Sequence, residues 1–134
     1  MSLDLHRIVM PALLLTLVGA CATPSAQDLP TMEQRLAARG LSLGAPVERI
    51  ADYRIDGWNR LDDEHILVGG GVSERYLISL MQPCPDLGSA ETIGFRTTGS
   101  VLTRLDILIV ESPIGPRRCP IREIHTLVER PREG

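Results

Sequence analysis

The chain of 134 residues contains no lysine; its 14 basic residues are all arginine. Arginine suits bidentate pairing with carboxylates and phosphates, but nucleotide bias in the coding genome accounts for so uniform a choice without any functional claim. Aromatic residues are almost as scarce, with Tyr53, Trp58, Tyr76 and Phe95 making up the set. Four scattered rings cannot form the stacking platform that single-stranded nucleic acid needs, and they leave the interior to Leu, Ile and Val. The net charge is −3 and the arginines are spread along the chain, which argues against binding to a phosphate backbone. Nucleic acid is therefore not an expected partner. Missing too is an apolar run long enough to span a bilayer, which takes roughly 20 residues; the longest, Ile8 to Val18, is shorter and is interrupted by Pro11.

That short run has a different reading. Arg7 and the free amine precede it, and Gly19 and Ala20 follow it, the order of a secretion signal over residues 1–20. The sequence Val18-Gly19-Ala20-Cys21 resembles the lipobox of bacterial lipoproteins, in which small residues admit the chain to the lipoprotein signal peptidase and the cysteine thiol receives a diacylglyceryl group. The resemblance implies that Cys21 becomes the lipidated, palmitate-bearing first residue of the mature protein. Ala22 in the next position implies delivery to the outer membrane, facing the periplasm. Each buried methylene contributes about 0.8 kcal/mol, so two or three acyl chains make a lasting membrane anchor where one would be marginal. A rival reading takes Ala20-Cys21-Ala22 as an ordinary cleavage site that frees a soluble periplasmic protein, but it leaves Cys21 without a role. Residues 21–30, with two prolines and small polar side chains, read as a flexible tether.

With Cys21 assigned to lipid, Cys84 and Cys119 remain as an even pair in a compartment where disulfides persist. A Cys84–Cys119 bridge is predicted. It closes a loop of about 36 residues, worth roughly 4 kcal/mol by the loop-entropy argument. A metal site would need ligands at a recognisable spacing, and His65 and His125 have none with either thiol. A redox pair would more typically be C-x-x-C.

The mature chain is then one globular domain over 31–130 with a fraying tail at 131–134. Thr31 and Gln34 form a capping box for a short helix over Met32–Arg39, stopped by Gly40. "LSLGAP" reads as a connector, and Arg49–Ile55 as an edge strand closed by an Asp56-Gly57 turn or bulge. "HILVGGGVSERYLISLM" predicts a β-hairpin, with strands His65–Val68 and Arg75–Met81 joined through the glycines. No helix-opening G-K-[ST] follows those glycines, so the phosphate-binding loop reading fails on context. Pro85–Ala90 reads as a helical turn, and Thr92–Arg96 and Asp106–Glu111 as strands. Within the last of these, Ile107–Val110 is apolar on both faces and so expected to lie centrally. "CPIREIHTLVE" fits both periods and is read as a helical turn leading into a short strand. The expected class is α+β and sheet-dominated: a small antiparallel sheet of about five strands, a short N-terminal helix and one disulfide.

No constellation of catalytic residues emerges. "LDDEH", residues 61–65, places three carboxylates before a histidine, but neighbours on extended chain point apart, and a solvated turn is the plainer account. Asp106 is expected to pair with Arg104 or Arg96. Ser73, Ser79 and Ser89 sit in no nucleophile elbow. Trp58 is either a core plug or, if exposed, a binding hot spot. No catalytic residue, metal site or cofactor is expected, and the protein is read as a non-enzyme.

The stretches "GWNRLDDEHILV", "RYLISLMQPCPDL", "ETIGF", "LDILIV" and "CPIREI", across residues 48–128, are similar to those of a family of small uncharacterised proteobacterial envelope proteins, a domain of unknown function. The resemblance implies envelope placement and a constant fold, and brings no catalytic residue with it. The expected role is a binding or accessory module with an envelope protein as partner. The alternative is an inhibitor of lysozyme-like hydrolases that inserts "LDDEH" or "SPIGPRR" into an enzyme cleft.

Overall fold

The computed structural model describes Gly19, Cys21 and residues 29–132. Most of the expected signal peptide and tether, and the end of the tail, lie outside the described residues. One α-helix forms among those described, α1 (Met32–Ala37), capped as the sequence predicts. The Thr31 hydroxyl accepts from the Gln34 amide at 3.2 Å, and the Gln34 side chain accepts from the Thr31 amide at 2.8 Å. A helix this short is not stable alone; it is held by Leu36, which is fully buried against the sheet.

Everything else that is regular among the described residues is strand, apart from one 3₁₀ turn at Pro85–Gly88: β1 (Leu41–Val47), β2 (Arg49–Ala51), β3 (Tyr53–Arg60), β4 (His65–Gly70), β5 (Glu74–Leu80), β6 (Ile93–Arg96), β7 (Val101–Thr103), β8 (Ile107–Val110) and β9 (Arg117–Glu129). All pairings are antiparallel. The main sheet runs β3-β4-β5-β9-β8-β6, and β2 pairs with β7 as a separate ribbon. The 13-residue β9 organises the whole. One edge takes β5, while the other takes β8 along Arg117–Pro120 and β1 along Ile124–Glu129.

The expected α+β class with about five strands is therefore overturned: the described residues are all-β, with seven strands curling into a nearly closed, barrel-like sheet, two in the β2-β7 ribbon, and one short helix outside. Four segments account for the difference, the first being the expected Arg49–Ile55 strand, which is divided at Asp52, with φ 51°, into β2 and β3. The "LSLGAP" connector is β1, and Val101–Thr103 is a strand of its own. The supposed helical turn at the C-terminus is part of β9. There the i, i+3 spacing of Ile121 and Ile124 comes from a β-bulge: Leu80 pairs with Ile121 but Ser79 with Glu123, leaving Arg122 as the extra residue. Both isoleucines thus face the same side of a strand and are buried together.

The sheet is covered on both faces. The inner face carries Ile66, Ile78, Ile121 and Ile124 into a cluster with Ile50 of β2, Leu102 of β7, Leu108 and Val110 of β8, and the half-cystines Cys84 and Cys119. The outer face carries Leu67 and Leu77 beneath Leu36 and Leu41. This is why "HILV" and "YLISL" are continuous rather than alternating. Cys84 and Cys119 are bonded, with Cα atoms 6.2 Å apart and both side chains buried. Beside them Asp86, in the 3₁₀ turn, accepts from the Arg117 guanidinium.

Candidate functional site

Beyond α1 the outer face of the β3-β4-β5 ribbon is open, forming a cleft of about 610 Å³. Strand register decides what points into it. Arg54 pairs with Gly69, and Gly69 with Arg75. Residues directly opposite on adjacent strands share a face, so two arginines leave the sheet on either side of a residue with no side chain. Arg39, just past the end of α1, lines the same cleft; its guanidinium donates to the Arg60 carbonyl at 3.0 Å. The Arg75 side chain is exposed and takes part in no hydrogen bond or ion pair among the described residues, whereas Arg54 has a partner.

The three glycines of the hairpin have different reasons to be there. Gly71 has φ 43° in the turn, a conformation that favours glycine. At Gly70 an added Cβ would lie 2.6 Å from Cε2 of Tyr76, so close packing on the inner face excludes a side chain. At Gly69 an added Cβ would meet nothing nearer than the Arg54 Cβ at 3.7 Å. Neither turn nor core requires glycine there; its effect is to floor the cleft with backbone.

Among the described residues lining the cleft, Glu74 is the one carboxylate, and it accepts from the Tyr76 hydroxyl at 2.9 Å. Burial, the hydrogen bond to Glu74 and the Glu74 charge together hold the Tyr76 phenol above its ordinary pKa. Among the described residues the cleft is thus lined by three guanidiniums, of which Arg39 and Arg54 already have partners, and one engaged carboxylate. Such a lining can hold an anion by charge-assisted hydrogen bonds. The sequence pattern held little sign of this, because the arginines are 15 or more positions apart in every pairing and only hairpin register brings Arg54 and Arg75 together. The available signal was the turn at residues 71–73, which places Gly69 opposite Arg75.

"LDDEH" forms a tied turn. Asp62 accepts from the Glu64 amide at 2.8 Å and contacts His65 Nδ1 at 2.7 Å, Asp63 pairs with Arg60 at 2.6 Å, and the Cys84 amide donates to the Asp63 carbonyl at 2.7 Å. His65 is thus set beside a carboxylate with only 12% of its side chain exposed, the condition an enzymatic reading would impose. Ser79 stands opposite it across β4 and β5, but at 2% exposure it is closed to substrate. His125 lies between Pro46 and Leu77 on the flanking strands, and its buried Nδ1 has no hydrogen-bond partner. Among the described residues no three His, Cys, Asp or Glu are grouped to hold a metal, and no helix is long and apolar enough to cross a membrane.

Of the residues singled out in the sequence, Trp58 is half-buried, packed on the edge of the inner cluster beside a smaller recess with Thr92 and Ile93. It lies between the two alternatives rather than at either. Asp106 does not pair with arginine: its Oδ2 accepts from the Thr103 amide at 2.6 Å and the Thr103 hydroxyl at 2.9 Å, while Arg104 pairs with Glu48 at 2.9 Å. A short loop favours the local donors over a long side chain from a neighbouring turn. Cys21 is free and exposed.

Fold and cleft together define a barrel-like all-β domain with a cationic groove on its outer face. The chain belongs to the Family of unknown function (DUF6491), which it matches over residues 4–132, a wider span than the 48–128 of the sequence resemblance. No curated protein and no solved structure matches it.

Proposed function

We propose that the protein is a lipoprotein anchored through acyl chains on Cys21 at the periplasmic side of the outer membrane, and that its domain serves as a non-enzymatic binding or accessory module of the envelope. The observation that carries this reading is the cleft, an open groove lined by three arginines over a glycine floor. The lipobox-like run ending at Cys21, and the free, exposed state of that thiol, support the anchor. Ser79, the hydroxyl opposite His65, is closed to substrate, which supports binding over turnover. Intact-mass measurement of the protein purified from envelope fractions tests the anchor. A mass increment of a diacylglyceryl group and acyl chains on Cys21 is expected, and an unmodified Cys21 overturns it. Robust hydrolysis of a cell-wall substrate, abolished by His65→Ala, overturns the non-enzymatic role.

One observation favours the inhibitor reading. In "SPIGPRR" the side chain of Ile114 stands 86% exposed at the tip of the β8-β9 connection, the kind of apolar point that enters an enzyme cleft. Slowing of a lysozyme at micromolar protein, lost in Ile114→Asp, would support it; unimpaired lysozyme activity would end it.

A further inference from the structure

We propose that the Arg39–Arg54–Arg75 cleft is a phosphate-binding site, with the phosphate group of a phosphate ester seated on the backbone at Gly69. The inference rests on the binding-module reading and names the ligand chemistry of that module's cleft. Its foundation is the cross-strand row Arg54–Gly69–Arg75. The two arginine Cα atoms are separated by two strand spacings, about 9.6 Å, so side chains of arginine length can close over the middle strand from both sides. Arg39 approaches from the end of α1, giving three guanidiniums from three separate elements. A guanidinium carries five N–H donors, so Arg39, which donates to the Arg60 carbonyl, and Arg54, which has a partner of its own, keep donors beside those of Arg75; a phosphate monoester offers them three terminal oxygens, whereas a carboxylate offers two.

Gly69 is the second support. Glycine within a strand costs about 0.5–1 kcal/mol relative to alanine, and at this position neither a left-handed φ nor a steric clash offsets that cost. What glycine provides is room for a ligand to approach the backbone between the two arginine side chains. Glu74, which would repel an anion, is hydrogen-bonded by Tyr76, and the free state of Arg75 leaves its donors available.

The test uses the full chain in neutral detergent micelles, titrated by calorimetry and by the backbone amide resonances of Gly69, Gly70 and Gly71. Soluble glycerol phosphate forms one arm, micelles doped with phosphatidic acid, whose headgroup is also a phosphate monoester, a second, and succinate a third. Saturable shifts of the three glycine amides with either phosphate arm are expected, and the responsive arm tells a free ester from a lipid headgroup. Arg75→Ala should weaken binding about tenfold or more, and Gly69→Leu should abolish it. Arg75 is exposed, so Arg75→Ala should keep the parent's melting temperature, which shows that its loss of binding is not loss of fold; Gly69→Ala should melt no lower than the parent. No shift with any phosphate probe at millimolar concentration overturns the proposal, as does preference for succinate, or binding indifferent to both Arg75→Ala and Gly69→Leu. Cys21 lipidation and partner capture are measured independently, so the cleft can fail as a phosphate site while the envelope-module reading stands, and the reverse.

Discussion

Gly70 lies face to ring with Tyr76: a Cβ built on the glycine would sit 2.6 Å from the tyrosine Cε2 and 3.0 Å from a methyl of Ile50. The neighbouring glycine on the other face, Gly69, has no such crowding. Gly70→Ala should therefore destabilise the domain by about 1–3 kcal/mol through overpacking, whereas Gly69→Ala should leave stability unchanged or raise it by up to about 1 kcal/mol. Urea unfolding followed by Trp58 fluorescence measures both. Equal effects at the two positions would contradict the assignment of faces.

Tyr76 gives the domain an alkaline limit. Its phenol is held neutral in the fold by burial and by Glu74, so its folded pKa exceeds the unfolded value of 10.0. Below pH 10 both states keep the proton and the group adds no pH dependence. As pH rises past 10 the unfolded chain ionises first, the folded state binds more protons, and stability falls until the folded pKa is reached. Tyr76→Phe should flatten that decline in the melting temperature above pH 10. A variant as alkali-sensitive as the parent would assign the decline to another group.

The Cys84–Cys119 bridge joins positions 35 residues apart and is buried in the inner cluster. Closing a loop of that length restricts the unfolded chain by roughly 4 kcal/mol, a large share of the stability of a domain this small. Denaturant midpoints of the parent and the Cys84→Ser/Cys119→Ser variant should differ accordingly. Burial also shields the sulfurs, so a thiol reductant should leave the bond intact until denaturant opens the fold, as thiol labelling and mass would show.

How far the sequence discloses this molecule depends on the range of the interaction involved. The capping box at Thr31, the hairpin around Gly71 and the pairing of the last two cysteines depend on neighbours in sequence or on simple parity, and each stands where the pattern put it. β1 was hidden because "LSLGAP" carries a glycine and a proline. Its strand character comes from β9, with partners 77 to 88 positions away, which it meets across a bulge between Leu43 and Pro46. The cleft was hidden for a related reason. Arg54 and Arg75 look like scattered charges until the register sets both beside Gly69.

The Arg122 bulge yields a prediction that separates strand from helix at the C-terminus. Ile121 and Ile124 face the same way because Arg122 is an extra residue opposite the step from Leu80 to Ser79, and its side chain is half exposed with only a 3.7 Å contact to Glu123. Deleting Arg122 makes Ile121 and Glu123 consecutive partners of Leu80 and Ser79, which restores plain alternation and keeps both isoleucines inside. Deleting Thr126 instead drives the residues beyond it to the opposite face, bringing Leu127 out of register with Leu43. The shortened chain lacking Arg122 should fold cooperatively, with loss of no more than about 2 kcal/mol, while the one lacking Thr126 should lose its cooperative transition. Were the segment a helix, either deletion would rotate the downstream residues by about 100° and the two would be equally damaging. A matched pair of thermal melts decides between these outcomes.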